Sequence, residues 1–540
     1  MSKGLSENAK KSIVIQGSIL AFAGIISKII GFLYRIPMAN IMGNTGNGLY
    51  SVAFGIYNIA LTLSSYSMPL AVSKLMSARL AKKQYKDAVR VFVRALIFAA
   101  VTGMIACLVL YFGAESFAGL YHKDGLEYPV RVLAPTTFIV ALLGTCRGYY
   151  QGHHNMLPTA VSQVIEQLVN AVVSVVAAAA FVRSAGCNKA AMGAMGGTLG
   201  TLAGAGAALV IFIGLFIVGR SGIKAQLTES DEITEDNRII YKAIILTVIP
   251  VIISQSIYQL GYTLDDLIFG NIMCIRGYAE IYVTDLQGVF NTQYNQMINL
   301  PTAIATSMAA ATLPSIVASF TVKDMDSVHK KINIVTKINM LIAIPSFIGL
   351  AVLAHPIMSI LFPRLCEYHD TAAMLLMTGS AAVVFYALST MSTSILQGCD
   401  RMSLPVIHSA ISLAIHVAVV ILLTTFTDLG VYGLVIGNVT FPAIVSVLNI
   451  RSIKKMLNYR FDWSGTFIKP LIASCVMGVI AGGVYYGMIH FLGDRLVMMI
   501  LALALSLGIA AIVYAGMLGA LHTFTKEEMK AMPIVRRFVK

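Results

Sequence analysis

With 540 residues, 57% of them hydrophobic and only 12% charged, this chain has too few charges to cover a water-facing surface; soluble proteins carry roughly 25% charged residues. The mean hydropathy of +0.79 excludes an ordinary soluble enzyme. The net charge of +14 would suit nucleic acid, but the placement of that charge along the chain excludes it. Seven scattered cysteines with no CxxC pair argue against a disulfide framework and read as free thiols.

Apolar runs of about 20 residues, enough to cross a bilayer at 1.5 Å rise each, recur from Ile13 to Leu521. They predict an all-α polytopic membrane protein with fourteen spans, good to about one helix. The spans lie near 13–41, 47–76, 90–113, 127–150, 157–182, 190–219, 240–271, 283–317, 332–354, 370–397, 404–426, 430–450, 466–491 and 495–521. No ten-residue alternation of barrel strands appears. Lys3, Lys10 and Lys11 precede the first span in the manner of a signal peptide. The apolar run continues through Arg35 without a small-residue cleavage site, so it reads as an uncleaved helix.

Of the 39 Lys and Arg residues, 29 fall in one alternating set of loops and six in the other; Lys28, Arg35, Lys74 and Arg131 lie within spans. The positive-inside rule then places both termini in the cytoplasm and makes the excess a topology and anionic-lipid signal.

In the first span Lys28 and Arg35 stand seven residues apart, two turns, on one helix face, with Pro37 just beyond. A charge in a spanning helix costs roughly 2.5–3.5 kcal/mol. A cationic wall that meets an anion is one reading, since Arg grips phosphate with two parallel hydrogen bonds; snorkelling toward a helix end is the other. Pro37 is expected to kink the helix and free carbonyls. In the fifth span Gln163, Glu166, Gln167 and Asn170 fall at i, i+3, i+4 and i+7, as cavity lining or as interhelical glue. The segment 220–242 mixes acidic and basic residues and reads as a solvated cytoplasmic linker. In the seventh span Gln255, Gln259, Tyr262 and Asp266 make one polar stripe with Asp265 beside it. The eighth, with Asn291, Gln293, Asn295, Gln296 and Asn299 before Pro301, is polar on several faces and suggests a broken helix lining water. The tail 525–540 should lie along the inner leaflet.

The chain also contains a repeat. Gln151-Gly152 with Met156 and Pro158 returns as Gln397-Gly398 with Met402 and Pro405; Pro69, Ala71 and Met76 return as Pro301, Ala303 and Met308; Lys11 has a counterpart in Lys242. These matches predict two parallel six-helix lobes, 10–222 and 238–455, joined by a cytoplasmic linker at 223–237 and followed by two extra spans within 456–524 and a tail at 525–540. Parallel repeats are a known transporter design with the site between them. The offset of Lys11 and Lys242 pairs Arg35 with Asp266, either as an ion pair closing a gate or as separate sites for a phosphate and a cation. No GxxxxGK[ST], HExxH or Ser-His-Asp pattern appears, and His153-His154 has no carboxylate or Cys cluster nearby. No enzyme activity, cofactor or metal site is expected, and transport energy would come from a gradient.

The segments Arg147-Gly148-Tyr149-Tyr150-Gln151-Gly152, Asn155-Met156, Pro158-Thr159-Ala160 and Ser162-Gln163-Val164-Ile165-Glu166-Gln167 resemble the signature of the stage V sporulation protein B family. So do Ser27-Lys28-Ile29-Ile30-Gly31-Phe32 with Tyr34-Arg35-Ile36-Pro37, and Asn299-Leu300-Pro301-Thr302-Ala303-Ile304-Ala305-Thr306 with Leu313-Pro314-Ser315-Ile316. These are polysaccharide-biosynthesis membrane proteins of the multidrug/oligosaccharidyl-lipid/polysaccharide superfamily. The resemblance covers nearly the whole chain. It implies a fourteen-helix fold around a central cavity and export of an undecaprenyl-pyrophosphate-linked sugar precursor, with lipid II for peptidoglycan as the leading substrate. It also implies that Lys28 and Arg35 face the cavity. Lys28 stands where relatives often have Arg, which keeps the charge and loses bidentate geometry. Substrate contacts are expected at Lys28 and Arg35 from the resemblance and at Glu166, Gln163 and Asn299 from their polar stripes, which also suggest coupling to a cation or proton at Asp265, Asp266 and Glu166. A cation-coupled multidrug exporter of the same superfamily is the alternative function, and a non-transporting scaffold a second.

Overall fold

The computed structural model describes residues 7–186, 188–221, 235–459 and 461–523, apart from some side chains of α1, α7 and α9, Tyr262 and Met308 among them. Most of the expected linker, the tail 525–540 and the basic N-terminal side chains lie outside the described residues. Among those described the structure is helical, with no strand. The helices are α1 (Glu7–Ser64), α2 (Met68–Leu80), α3 (Tyr85–Leu120), α4 (Glu127–Gly152), α5 (Leu157–Ser184), α6 (Lys189–Val218), α7 (Asn237–Ile275), α8 (Glu280–Gly288) and α9 (Asn295–Thr321). They continue with α10 (Met325–Val352), α11 (Ala354–Leu361), α12 (His369–Gly379), α13 (Ala382–Gly398), α14 (Ser403–Phe426), α15 (Val431–Leu457), α16 (Lys469–Leu492) and α17 (Leu496–Ala520). Proline at the first or second helical position opens α2, α5 and α16, where its missing N–H loses nothing. The side chain of Asp324 accepts from Ser327 N at 3.1 Å and caps α10.

Among the described residues ten helices are long and apolar enough to cross a membrane, eleven if the bent pair Pro363–Gly379 and Ala382–Gly398 is one span. The sequence suggests about fourteen. One of the ten, Phe22–Leu80, runs 59 residues, about three hydrocarbon thicknesses, so it is more than one crossing. Its backbone breaks at Gly43 (φ 71°, ψ 178°), a conformation open essentially to glycine alone. The non-helical break thus falls at Gly43, between the spans expected near 13–41 and 47–76, while Pro37 stays inside the helix.

The chain divides into two compact units, Met1–Gly288 and Val289–Lys540. Within the first unit α7 packs on α1, α2 and α3. In the first unit, a small-residue groove on α6 receives α5: an added Cβ on Gly196 would meet the backbone of Ala177 and Ala178, on Gly200 that of Asn170 and Ser174, and on Gly204 that of Glu166. Such i, i+4, i+8 glycines let membrane helices approach backbone to backbone. Similarly Gly48 of α1 lies against the Thr284 carbonyl of α8, and Gly288 against that of Asn44. At one end of this unit Arg79, buried, pairs with Glu235, while Arg90 reaches the Glu235 carbonyl at 2.5 Å and Asn237 Oδ1 at 2.7 Å. Two arginines, through three contacts, thus pin the start of α7.

The second unit begins with a π-helical turn, Val289–Tyr294. Of the five residues expected to line water there, Gln293, Asn295 and Gln296 are each at most 7% exposed, whereas Asn291 is half-buried and Asn299 exposed. Tyr294 Oη donates to the Gly379 carbonyl at 3.2 Å, and Asn438 Nδ2 donates to Asn295 Oδ1 at 3.4 Å. The helices α16 and α17 are both long and apolar enough to cross a membrane, and Tyr514 Oη of α17 donates to Leu341 O of α10 at 3.0 Å. The two Gln-Gly motifs each close a helix, α4 at Gly152 and α13 at Gly398.

Candidate functional site

The polar residues of α1 and α5 meet inside the first unit. Arg35 is half-buried, and its Nε atom is sealed from solvent without a hydrogen-bond partner. Its guanidinium lies beside the phenols of Tyr34 and Tyr50. Lys28, two turns earlier, is exposed. Among the described residues neither cation has a carboxylate partner. The arginines that do meet a carboxylate there are different ones: Arg79 with Glu235, Arg90 with Asp87 at 3.3 Å, Arg131 with Glu115 at 2.6 Å and Arg147 with Glu166 at 2.6 Å.

Arg147 is the residue that sequence reasoning misses. The charge count along the chain puts it among the loop cations, yet it lies within α4, and its Nη2 donates to Glu166 Oε2 while Nε donates to Ser162 Oγ at 3.2 Å. The two side chains are only 14% and 21% exposed, so this is a largely desolvated pair, and its partner-loss cost is correspondingly high. A hairpin signal could have found it: α4 and α5 turn at 153–156, which sets Arg147 opposite 162–166 in an antiparallel pair.

Along α5, Gln163 has a buried, unpartnered Oε1. The Gln167 Oε1 atom sits where a Cβ on Gly31 of α1 would meet it at 3.7 Å, and Asn170 Nδ2 donates to Tyr34 Oη at 3.3 Å. The stripe therefore braces the cationic stretch of α1. Immediately before Lys28 the two helices leave an apolar groove of about 310 Å³, lined by Ile19, Phe22, Ala23, Ile26, Val161 and Ile165 among others.

Asp265 and Asp266 are buried, and the carbonyl of Asp266 accepts from Gln287 Nε2 at 2.7 Å. Asp266 does not pair with Arg35; its electrostatic neighbour is Lys123, 2% exposed in the α3–α4 loop, whose Nζ donates to Thr284 Oγ1 at 2.6 Å. Burial pulls the Lys123 ammonium down to about 8, against the pull of Asp266, Glu280 and Asp285. Thr45 Oγ1 donates to Asp285 at 2.5 Å. In sequence Lys123 is one more loop charge, and nothing local links it to Thr284, 161 positions away. Gln255 and Gln259 are half-buried, and Asn299, in the second unit, is exposed. His153 stacks on Tyr149 at 4.5 Å and bonds its carbonyl at 3.0 Å, which fits a loop pair. The six described cysteines are free.

A model of the polysaccharide biosynthesis protein family matches residues 14–320, more than half of the chain. The chain belongs to that family. It is 24% identical over 536 residues to stage V sporulation protein B of Bacillus subtilis, covering 98% of this chain and 99% of that one. Lipid II flippase MurJ of the same organism is 26% identical over 412 residues, 74% of each. Its fold is similar to that of a solved lipid II flippase MurJ in an inward closed conformation, with TM-score 0.66 at 13% identity over 93% of this chain and 99% of the other. It is also similar to an inward-facing multidrug resistance MATE family transporter of the MOP superfamily, with TM-score 0.65 at 16% identity over 80% and 94%. The family member described here is thus a multi-pass bacterial membrane protein with the MOP-superfamily fold.

Proposed function

We propose that this protein is a secondary-transport flippase that carries an undecaprenyl-pyrophosphate-linked saccharide, lipid II foremost, from the inner to the outer leaflet by alternating access. The observation that carries this reading is the pair of cations on α1, which have no carboxylate partner among the described residues. An unpaired guanidinium in a spanning helix costs several kcal/mol, and a pyrophosphate would offset that cost with charge-assisted hydrogen bonds. Lys28 and Arg35 hold the pyrophosphate; Gln163 and Asn299 contact the saccharide; the tail stays in the bilayer. Glu166 holds Arg147 and positions α5 against α1. Asp265 and Asp266, beside Lys123, are the coupling site for a cation or proton. Both termini are cytoplasmic, about fourteen spans cross the membrane, and the duplication of 10–222 in 238–455 supplies the two alternating parts. The relatives named lipid II flippase and stage V sporulation protein B support this reading.

The test is exposure of lipid II on the outer leaflet in cells depleted of their own flippase. The wild-type chain restores exposure, and Arg35→Ala, present in the membrane at the same level, does not. Normal exposure with Arg35→Ala would remove that residue from the site. Failure of the wild-type chain would point to another lipid-linked glycan.

The buried Asp265–Asp266 pair and the likeness to a MATE transporter favour a second reading, a cation-coupled multidrug exporter. That reading expects organic-cation efflux that survives Arg35→Ala and fails with Asp266→Asn.

A further inference from the structure

In the second unit, the first turns of α11 and α12 bring His355, His369 and Asp370 together across the 3₁₀ stretch Pro363–Tyr368. One ligand atom from each lies within 4.8 Å of the others. His355 Nε2 stands 3.1 Å from Asp370 Oδ1. The two imidazoles are 4.8 Å apart between centroids and tilted by 53°. Nε2 of His369 is sealed from solvent and has no hydrogen-bond partner, although a buried ring nitrogen normally has one.

We propose that these three side chains form a divalent-cation site suited to Zn²⁺. Ligands around tetrahedral zinc, with bonds near 2.0–2.1 Å, sit about 3.4 Å apart. The His355–Asp370 separation already matches that spacing, and small rotations of His369 close the third edge. Two imidazoles and one carboxylate are a borderline-soft set that prefers Zn²⁺ over Mg²⁺ or Ca²⁺. Water or a further group fills the fourth position, the pattern of an open rather than a closed site. Two helix N-termini meet here, and their partial positive charge opposes a cation. The Asp370 carboxylate, 93% exposed yet oriented onto His355, supplies the compensating charge. A bound ion ties the start of α11 to the start of α12, and so fixes the outer edge of the bent helix pair formed with α13. This site shares no residue with the cationic stretch of α1, and it stands whether or not the flippase reading does.

The experiment uses the full-length protein in detergent, stripped of metal and titrated with Zn²⁺ alone against a chromophoric chelator. Wild type is expected to take up one Zn²⁺ per chain, and Co²⁺ in its place should show the visible bands of a tetrahedral site. His355→Ala and Asp370→Asn should each weaken binding at least about tenfold, with His369→Ala doing the same. His153→Ala with His154→Ala should leave it unchanged. His355 is exposed, so its variant carries the test if His369→Ala fails to fold. Absence of one-to-one binding in wild type, or undiminished binding in the His355→Ala/His369→Ala double variant, would overturn the proposal.

Discussion

The packing of α5 on α6 sets where Glu166 and Asn170 stand, and Gly200→Ala tests it. An ideal Cβ at Gly200 would lie 2.5 Å from Ser174 N and 2.6 Å from Asn170 O, against ordinary contacts from 3.4 Å upward. Both are backbone atoms of α5 and cannot rotate away. The Ser174 hydroxyl is equally fixed, 2.7 Å from the Gly197 carbonyl and 2.9 Å from Asn170 Oδ1. The helices must therefore part by about 1 Å, and overpacking of that kind costs about 1–3 kcal/mol. Gly206→Ala on the same helix is the control, since its Cβ meets nothing within 4 Å. There the usual advantage of alanine in a helix, about 0.5–1 kcal/mol, should appear. Thermal unfolding in detergent should thus move in opposite directions for the two variants, and lipid II exposure should fall with Gly200→Ala alone. Equal shifts of the same sign would refute the backbone-contact argument.

Lys123 gives a pH dependence. Its folded value is lowered to about 8 from 10.5 by burial, so between pH 8 and 10.5 the unfolded chain binds more protons and stability rises with pH. A displacement of that size amounts to about 3 kcal/mol across the window. Melting curves of wild type should gain on those of Lys123→Met as pH climbs from 7.5 to 9.5, and parallel curves would refute the burial of the ammonium. At the break in α1, Gly43→Ala should cost about 1–3 kcal/mol, measured in the same unfolding assay. An unchanged midpoint would mean that the backbone there is not held at φ 71°.

Which features are legible in the sequence follows from how local each signal is. Membrane character and the two extra spans come from runs of apolar residues, a one-dimensional property. The cations of α1 are legible because charge in such a run is costly wherever it falls. The apolar runs near 13–41 and 47–76 bracket the break in α1, but a glycine at positive φ leaves no mark that separates Gly43 from its neighbour Gly46. The Gly196, Gly200 and Gly204 spacing is readable as a close-packing face, although its partner on α5 is not. Lys123 with Asp266 and Thr284, and His355 with His369, are tertiary meetings. The polar stretch 291–296 reads as water-lining because its polarity is visible in sequence and its partners Asn438 and Gly379 are not.

The contrast between the two classes of cation in the first unit carries the functional argument furthest. Arg79, Arg90, Arg131 and Arg147 each meet a carboxylate, and two of the three largely desolvated pairs, Arg79–Glu235 and Arg147–Glu166, join helices or pin their starts. Those charges serve the fold, because removing either partner of a desolvated pair leaves the other uncompensated. Lys28 and Arg35 sit on a helix braced by Asn170 through Tyr34, with two tyrosine phenols beside the guanidinium and no carboxylate among the described residues. Phenols can share a guanidinium's hydrogen bonds but cannot balance its charge. Adding a carboxylate should therefore stabilise the resting protein while competing with an anionic substrate. Among the described residues the fold keeps its ion pairs closed and leaves these two cations without a carboxylate, the arrangement on which the proposed pyrophosphate carrier rests.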